Sequence, residues 1–491
     1  MEWTREMKYR TFEDVSDELF KEMKKKVKHA RWRQLYHIQP ISGLLNDPNG
    51  LVYHEGLYHV FYQWHPFGAI HGMKYWYHVT SPDLVHFTDE GVAISPDTLF
   101  DSHGAYSGSA IVVDNEVKLV YTGNHRTKDW ERVPYQVIST LKGNEDSEKK
   151  VFVKGTPNGY TEHFRDPKVW YDENTEYYYA VIGAQRVDKT GAIVVYQSKD
   201  FNHWELKGEL KTDYSSFGYM WECPDYFTLD GKGVVLFCPQ GIERKGDAFR
   251  NRYQSGYLLG HLDIKSLKFD HYQFEELDYG FDFYAPQTLK GAQEERILIG
   301  WMGLPETTYP TDKDGWAHCL TIPRVLSVRD NHLFQQPIKA LQQLRHSKKR
   351  EVLTINDDSL VLEEWKGTHY ELLVDVLDNQ ASHFHIDIRQ LGDEYTRCSY
   401  DAKARRFTFD RSLSGALPGG VDGTTRVVQL SNALDHMQIF VDTSSVELFL
   451  NGGQYVFSSR IFPNASSDGI RIVSENGNVT FDITKYNLKE G

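Results

Sequence analysis

The chain has 491 residues, a formal net charge of −14, a mean hydropathy of −0.55 and an aromatic load of 30 Tyr, 26 Phe and 11 Trp. That length exceeds one compact core and implies two domains. The acidity excludes broad binding to nucleic acid or anionic membranes, and the lack of any apolar run of about 18 residues excludes a helical membrane span.

Residues 1–31 read as an N-terminal helical extension. One amphipathic helix is expected from about Thr11 to Arg31, where Phe12, Val15, Leu19, Phe20, Met23 and Val27 recur at helical spacing. Lys24-Lys25-Lys26 is a solvated face of that helix. Met1 to Lys28 is charged throughout and lacks the apolar segment of a signal peptide, so a cytoplasmic location is expected. Cys223, Cys238, Cys319 and Cys398 are scattered without a CxxC pair, which fits reduced thiols rather than a zinc site or disulfide framework.

From residue 32 the texture changes to short apolar-aromatic runs separated by Gly, Asp and Asn. Leu57–Trp64, Val117–Thr122, Tyr177–Ile182, Gly233–Phe237 and Arg296–Gly300 all read as strands of an all-β region. A long repeat accompanies them. Asn46-Asp47-Pro48, Tyr106-Ser107-Gly108-Ser109, Arg165-Asp166-Pro167, Trp221-Glu222-Cys223-Pro224 and Phe283-Tyr284-Ala285-Pro286-Gln287 recur about every 60 residues. Five units of several strands each predict a five-bladed β-propeller over residues 32–336, whose first strands line a central axis. A helical linker at 337–349 covers Ile338 to Ser347. Runs at Val361–Trp365, Tyr370–Val376, His383–Ile388 and Ile439–Gly453 then predict a β-sandwich over 350–491.

Three acidic residues stand out because proline follows each at once or after one residue: Asp47, Asp166 and Glu222. Proline restrains its own backbone and that of the residue before it, so such a carboxylate is aimed. Cleaving a glycosidic bond needs one carboxylate at the anomeric carbon and one carboxylic acid for the leaving oxygen. Asp47 suits the first role, with the amides of Asn46 and Asn49 expected to keep it ionised. Glu222, between Trp221 and Cys223-Pro224, is expected in an apolar setting that favours its acid form. Asp166 is expected to pair with Arg165, stay charged and grip sugar hydroxyls.

Asn46–Gly50, Phe61-Tyr62-Gln63, Tyr106–Ala110, Arg165–Pro167, Glu222–Pro224, Asp278–Gln287 and Gly300–Gly303 together resemble glycoside hydrolase family 32, the invertases and β-fructofuranosidases. The resemblance covers residues 32 to about 345 firmly and the C-terminal region more loosely. It implies a retaining double displacement on a terminal fructosyl unit, with Asp47 as nucleophile, Glu222 as acid/base and Asp166 as transition-state stabiliser. Asn46, Gln63, Ser107 and Arg165 match binders of fructose hydroxyls, Leu45, Pro48 and Tyr106 accompany them, and Trp76 and Trp301 match pocket walls. Tyr106 stands where the family commonly has Phe. No metal or organic cofactor is implied; the histidines between His54 and His86 lack a tight ligand pattern.

Within the family, the N-terminal extension, His71–Trp76 and Val133–Gln136 resemble the bacterial sucrose-6-phosphate hydrolases. The implied reaction converts sucrose 6-phosphate to glucose 6-phosphate and fructose, with sucrose expected to be cleaved as well. The alternatives are an invertase or exo-fructanase on unphosphorylated sugars, and a non-catalytic sugar-binding propeller. A phosphosugar meeting so acidic a protein needs a local basic patch, for which Lys74, Arg126, Lys128 and Arg132 are candidates. The expected partner is a small sugar, with no nucleic acid or membrane, on a monomer or homodimer.

Overall fold

A computed structural model describes residues 3–420 and 422–491. The protein is all-β, with helix confined to short pieces. No described helix is long and apolar enough to cross a membrane.

The single helix expected from Thr11 to Arg31 is instead two pieces, a 3₁₀ turn at Phe12–Asp14 and an α-helix at Asp17–Lys28, and a further short helix at Arg5–Lys8 precedes them. Capping explains the breaks. Thr11 and Asp14 close a capping box on the short turn and Val15 is extended. Ser16 Oγ then accepts from Leu19 N at 3.3 Å and restarts the helix.

Among the described residues, five mainly antiparallel sheets of four or five strands follow one another from Gly43 to Pro337. Their first strands are Gly43–His54, Ala105–Val113, Tyr160–Asp172, Met220–Leu229 and Tyr284–Lys290. Each of these touches the next, and the fifth touches the first, so they form a closed ring of inner strands. Trp316–Ala317 pairs in parallel with Gly43–Leu44 and ties the end of the series to its beginning. Side chains lace the ring: Gly108 N donates to Asn49 Oδ1 at 3.2 Å, Ser109 Oγ to Pro167 O at 2.9 Å, and Lys168 Nζ to Asp225 Oδ2 at 3.0 Å.

Every inner strand carries the same irregularity at the repeated motif. Two of its residues face a single residue on the second strand of its sheet, which defines a β-bulge. The pairs are Asn46-Asp47 against Gln63, Tyr106-Ser107 against Thr122, and Asp166-Pro167 against Ile182. Cys223-Pro224 against Phe237 and Ala285-Pro286 against Gly300 complete the set. Proline has no N–H, so it sits in the unpaired position without losing a ladder bond. Asp166, Cys223 and Ala285 take left-handed φ values of 67°, 49° and 47°, which bends the strand there.

Residues 345–488 form two six-stranded sheets sharing a core that includes Leu372, Ile386, Phe409, Phe457 and Ile472. Two expectations need correcting here. The linker shrinks to a 3₁₀ turn at Lys339–Leu344, because Leu341 and Leu344 are buried and Arg345 already opens the next strand. Val361–Trp365 is a strand only through Val361; a 3₁₀ turn at Glu363–Trp365 then buries Trp365.

The C-terminal sheets join the ring through Phe440, Phe449 and Val456, which pack with Tyr36, Tyr62 and Leu344. Buried charges cross this boundary. Arg324 donates to Asp278 Oδ2 at 3.1 Å and to Glu447 Oε2 at 2.6 Å. His37 bonds Asp442 Oδ2 at 2.7 Å and Glu447 Oε1 at 3.0 Å. Burial alone would lower the His37 pKa from 6.5, but these two carboxylates outweigh it and raise it to about 10. The folded state therefore holds a proton that the unfolded chain releases above pH 6.5. Its stabilisation is full below pH 6.5 and is lost as pH rises toward about 10. In denaturant titrations across that window, His37→Gln is expected to lose part of the wild-type slope; parallel slopes would refute the assignment.

Candidate active site

The bulges aim side chains from all five inner strands toward a single cavity of about 410 Å³. Asp47, Asp166 and Glu222 line it together, joined by Asn46, Gln63, Tyr106, Ser107, Arg165 and Trp301. Cys223 Sγ lies 3.7 Å from Asp47 Oδ2 and 3.6 Å from Asp166 Oδ2, so those two carboxylates flank one thiol.

The hydrogen bonds around Asp47 have a fixed sense, set by Lys74. An ammonium only donates, so Asn46 Oδ1 accepts from Lys74 Nζ at 2.6 Å. Asn46 Nδ2 then faces Asp47 Oδ1 at 2.9 Å and Gln63 Oε1 at 2.6 Å. Gln63 Nε2 donates to Ser107 Oγ at 2.8 Å, and Ser107 passes its own proton toward Asp47 Oδ2. Burial raises the Asp47 pKa against the donors Ser107 and Asn46, and the charge of Glu222 adds to the rise. Burial likewise lowers Lys74 to about 7, with Asp47 opposing. Asn49 takes no part: its Oδ1 accepts from Gly108 N on the next inner strand, correcting the expectation that its amide serves Asp47.

The other two carboxylates exchange their expected surroundings. Arg165 turns to Glu222, with Nε at 2.9 Å from Oε1, while Gln240 Nε2 and Tyr284 Oη each reach Oε2 at 2.6 Å. Glu222 thus sits among donors rather than in an apolar niche. Adjacent strand residues point to opposite faces, so Trp221 is buried against Phe237, their ring centroids 4.5 Å apart. Arg165 and Asp166 both line the cavity, yet no ion pair joins them among the described residues, because the Arg165 fork is taken by Glu222. Asp166 Oδ2 accepts from Cys223 N at 3.0 Å instead. Burial raises the Asp166 pKa, Arg165 opposes, and the charges of Glu222 and Asp47 push it further up.

Three expected residues stay out of the cavity. Leu45 is fully buried and its carbonyl accepts from His318 Nδ1 at 2.9 Å. Pro48 pairs with Tyr62. Trp76 is a core residue, not a wall, because the strand face it occupies packs against Phe61 and Tyr121; its Nε1 holds Tyr106 O at 2.9 Å. Of the basic candidates, Lys74 and Arg132 line the cavity. Residues not anticipated are Tyr9, His71, Gly72, Gln240, Tyr253, Tyr284, Pro305 and Glu306. Tyr284 lay inside a recognised motif; Tyr9 and Gln240 carried no signal of their own. Among the described residues no group of three or more His, Cys, Asp or Glu is placed to hold a metal ion.

Two family descriptions match this chain: the Glycosyl hydrolases family 32 N-terminal domain over residues 37–337, and the family 32 C-terminal domain over 340–490. A sucrose-6-phosphate hydrolase from Staphylococcus xylosus is 47% identical over 490 residues, covering 99% of both chains. The solved sucrose-6-phosphate hydrolase of Lactobacillus gasseri is 35% identical with a TM-score of 0.92 over 100% of each chain. A family 32 β-fructofuranosidase from Bombyx mori is 31% identical, with a TM-score of 0.83 over 96% of this chain and 97% of that one.

The Arg165 guanidinium opposes the upward shift that burial imposes on Asp166. Arg165→Gln is expected to move the Asp166 titration further upward, by about one pH unit or more. Difference infrared spectra across a pH series would read it, and an unmoved titration would refute it.

Proposed function

The chain belongs to glycoside hydrolase family 32 and is a glycosidase of the β-fructofuranosidase type, and from that footing we propose that it hydrolyses sucrose 6-phosphate to glucose 6-phosphate and fructose. The full-length likeness to sucrose-6-phosphate hydrolases supports this substrate. The observation that carries the chemistry is the convergence of Asp47, Asp166 and Glu222, from three separate sheets, on one cavity. We assign the five sheets as blades of a five-bladed propeller over 32–336, and the C-terminal sheets as a β-sandwich over 350–491.

In this reading Asp47 attacks the anomeric carbon of the fructosyl unit. Ser107 and Asn46 hold its two oxygens, so the nucleophile meets the sugar in one orientation. Glu222 gives a proton to the glycosidic oxygen, and glucose 6-phosphate departs. It then takes a proton from the water that cleaves the fructosyl–Asp47 ester, releasing fructose and restoring both carboxyls. Gln240, Tyr284 and Arg165 hold Glu222 between these steps. Asp166, fixed by Cys223 N, grips fructose hydroxyls and offsets the positive charge that develops on the ring. The chain's place of action is the cytoplasm, where phosphorylated sugars are retained, and it needs no cofactor for these steps.

Asp47→Asn is expected to lose at least ~10⁴-fold in kcat on every fructoside. Glu222→Gln is expected to lose ~10²–10⁴-fold on sucrose, yet far less on a fructoside whose leaving group needs no proton. Equal losses of Glu222→Gln on both substrates would refute the acid role. The substrate is tested separately. The ratio of kcat/KM for sucrose 6-phosphate over sucrose should exceed about ten, worth upward of about 1.4 kcal/mol, and shrink with added salt. A ratio near one leaves a general β-fructofuranosidase.

A further inference from the structure

Two arginines, Arg132 in the cavity lining and Arg126 paired with it, take no part in the chemistry at the cavity floor. Arg126 and Arg132 stand directly opposite each other at the end of the hairpin formed by Glu116–Arg126 and Arg132–Lys142. Facing like charges destabilise a strand pair, so nature usually separates them or gives each a carboxylate. Here, among the described residues, neither has one. Arg126 Nη1 donates to Trp130 O at 3.2 Å, and Arg132 Nη1 faces His163 Nδ1 at 3.4 Å. The Nε of both guanidinium groups is buried without a hydrogen-bond partner. Glu162, the acid whose charge reaches Arg132, lies against His163 instead, at 3.7 Å.

The pair is nevertheless held in place. Trp130, at the hairpin tip, adopts a left-handed φ of 67°, a costly conformation for a bulky residue. From there its ring supports Arg126 at 5.6 Å and Arg5 at 4.1 Å, and meets the edge of Tyr9 at 5.3 Å. Tyr9 comes from the N-terminal extension, whose chain is anchored by Met73 N donating to Lys8 O at 2.8 Å. A side chain at Gly72 would place its Cβ 2.2 Å from that same carbonyl, so this docking requires glycine. Tyr9 and Arg132 both line the cavity that holds the three carboxylates. Two guanidinium groups without a carboxylate partner among the described residues, Arg132 in the cavity lining and Arg126 opposite it, therefore stand beside the Tyr9 phenol in an otherwise acidic protein.

We propose that Arg126, Arg132 and the Tyr9 hydroxyl form the subsite for the phosphomonoester on the glucose side of the substrate, completed by the N-terminal extension; this rests on the sucrose 6-phosphate reading above. A phosphate dianion offers only acceptors, and guanidinium forks and a phenol offer donors that match it. The mutual repulsion of the arginines is relieved when the dianion sits between them. Sucrose leaves that repulsion in place, so the same feature that attracts the phosphorylated sugar disfavours the plain one.

The test measures kcat/KM for sucrose 6-phosphate and sucrose, and inhibition by glucose 6-phosphate against glucose, in wild type, Arg126→Gln and Tyr9→Phe. The wild type should prefer sucrose 6-phosphate, and Arg126→Gln should cut that preference about tenfold or more, chiefly through KM. Glucose 6-phosphate should lose its advantage over glucose as an inhibitor in the same variant, and Tyr9→Phe should shift both readouts in the same direction by less. Sucrose hydrolysis reports that each variant is folded. A wild-type preference that survives both substitutions overturns this subsite while leaving the substrate reading intact. So does an equal loss on both sugars. If Arg126→Gln does not fold, an unchanged preference in Tyr9→Phe is decisive against the proposal. A wild-type ratio near one overturns the substrate reading and the subsite with it.

Discussion

Everything at the site depends on a bulge repeated in five inner strands. An unbroken strand alternates its side chains between two faces, and no regular register would point Asn46 and Asp47 together into one space. Setting two residues against one breaks that alternation locally and re-aims a side chain. Three of the five bulges place proline at the unpaired position, where its missing N–H costs nothing, and three put a non-glycine residue at positive φ. Such strain persists only where the surroundings over-determine it. The ring supplies that: each inner strand is braced by its own sheet and by side chains from the next strand, as Asn49 braces Gly108 and Asp225 braces Lys168.

The bulges create a second difficulty, since they gather three carboxyl groups in one poorly solvated space. Burial raises the proton affinity of a carboxyl group, and like charges at short range add to the effect. The rise in Asp47 and Asp166 is that cost made visible. The protein answers with cationic donors. Arg165, and Lys74 while it is protonated, have no acceptor capacity, so each fixes the orientation of the groups bonded to it: Lys74 through the Asn46, Gln63 and Ser107 chain, Arg165 through Glu222. A network polarised from its cationic ends is preorganised, because no amide can flip without leaving an unpaired buried atom.

The sequence made the strands, the fivefold repeat and the three carboxylates legible because proline marks a bulge in the text as plainly as in space. It misled wherever adjacency in the chain was taken for adjacency in the fold. Arg165 beside Asp166, Trp221 beside Glu222 and Asn49 beside Asp47 all look like partners on paper. Trp221 turns to the face opposite Glu222, Asn49 is taken by Gly108 and Arg165 by Glu222, so the real partners are 57 positions apart for Arg165 and Glu222, 60 for Ser107 and Asp47. Trp76 failed for a related reason, being a backbone support for Tyr106 rather than a wall. Tyr9 was unreadable in principle. Its role comes from where a 3₁₀-broken extension docks, and nothing local encodes that.

Lys74 shows how context decides what a positive charge is for. By sequence it belongs with Arg126, Lys128 and Arg132 as a candidate for the phosphate. In the fold it is buried at the floor with its proton affinity lowered by desolvation, committed to Asn46. Arg132 lies in the cavity lining with Arg126 opposite it on the hairpin, and neither has a carboxylate partner among the described residues. The net charge of −14 does not cancel them, because exposed charges farther than about 8 Å are largely screened at physiological ionic strength. What a phosphorylated sugar meets on arrival is the local pair, and the distant acidity of the rest of the surface serves solubility instead. Specificity toward the phosphate and chemistry at the floor are then set by different cations, which allows one to change without disturbing the other.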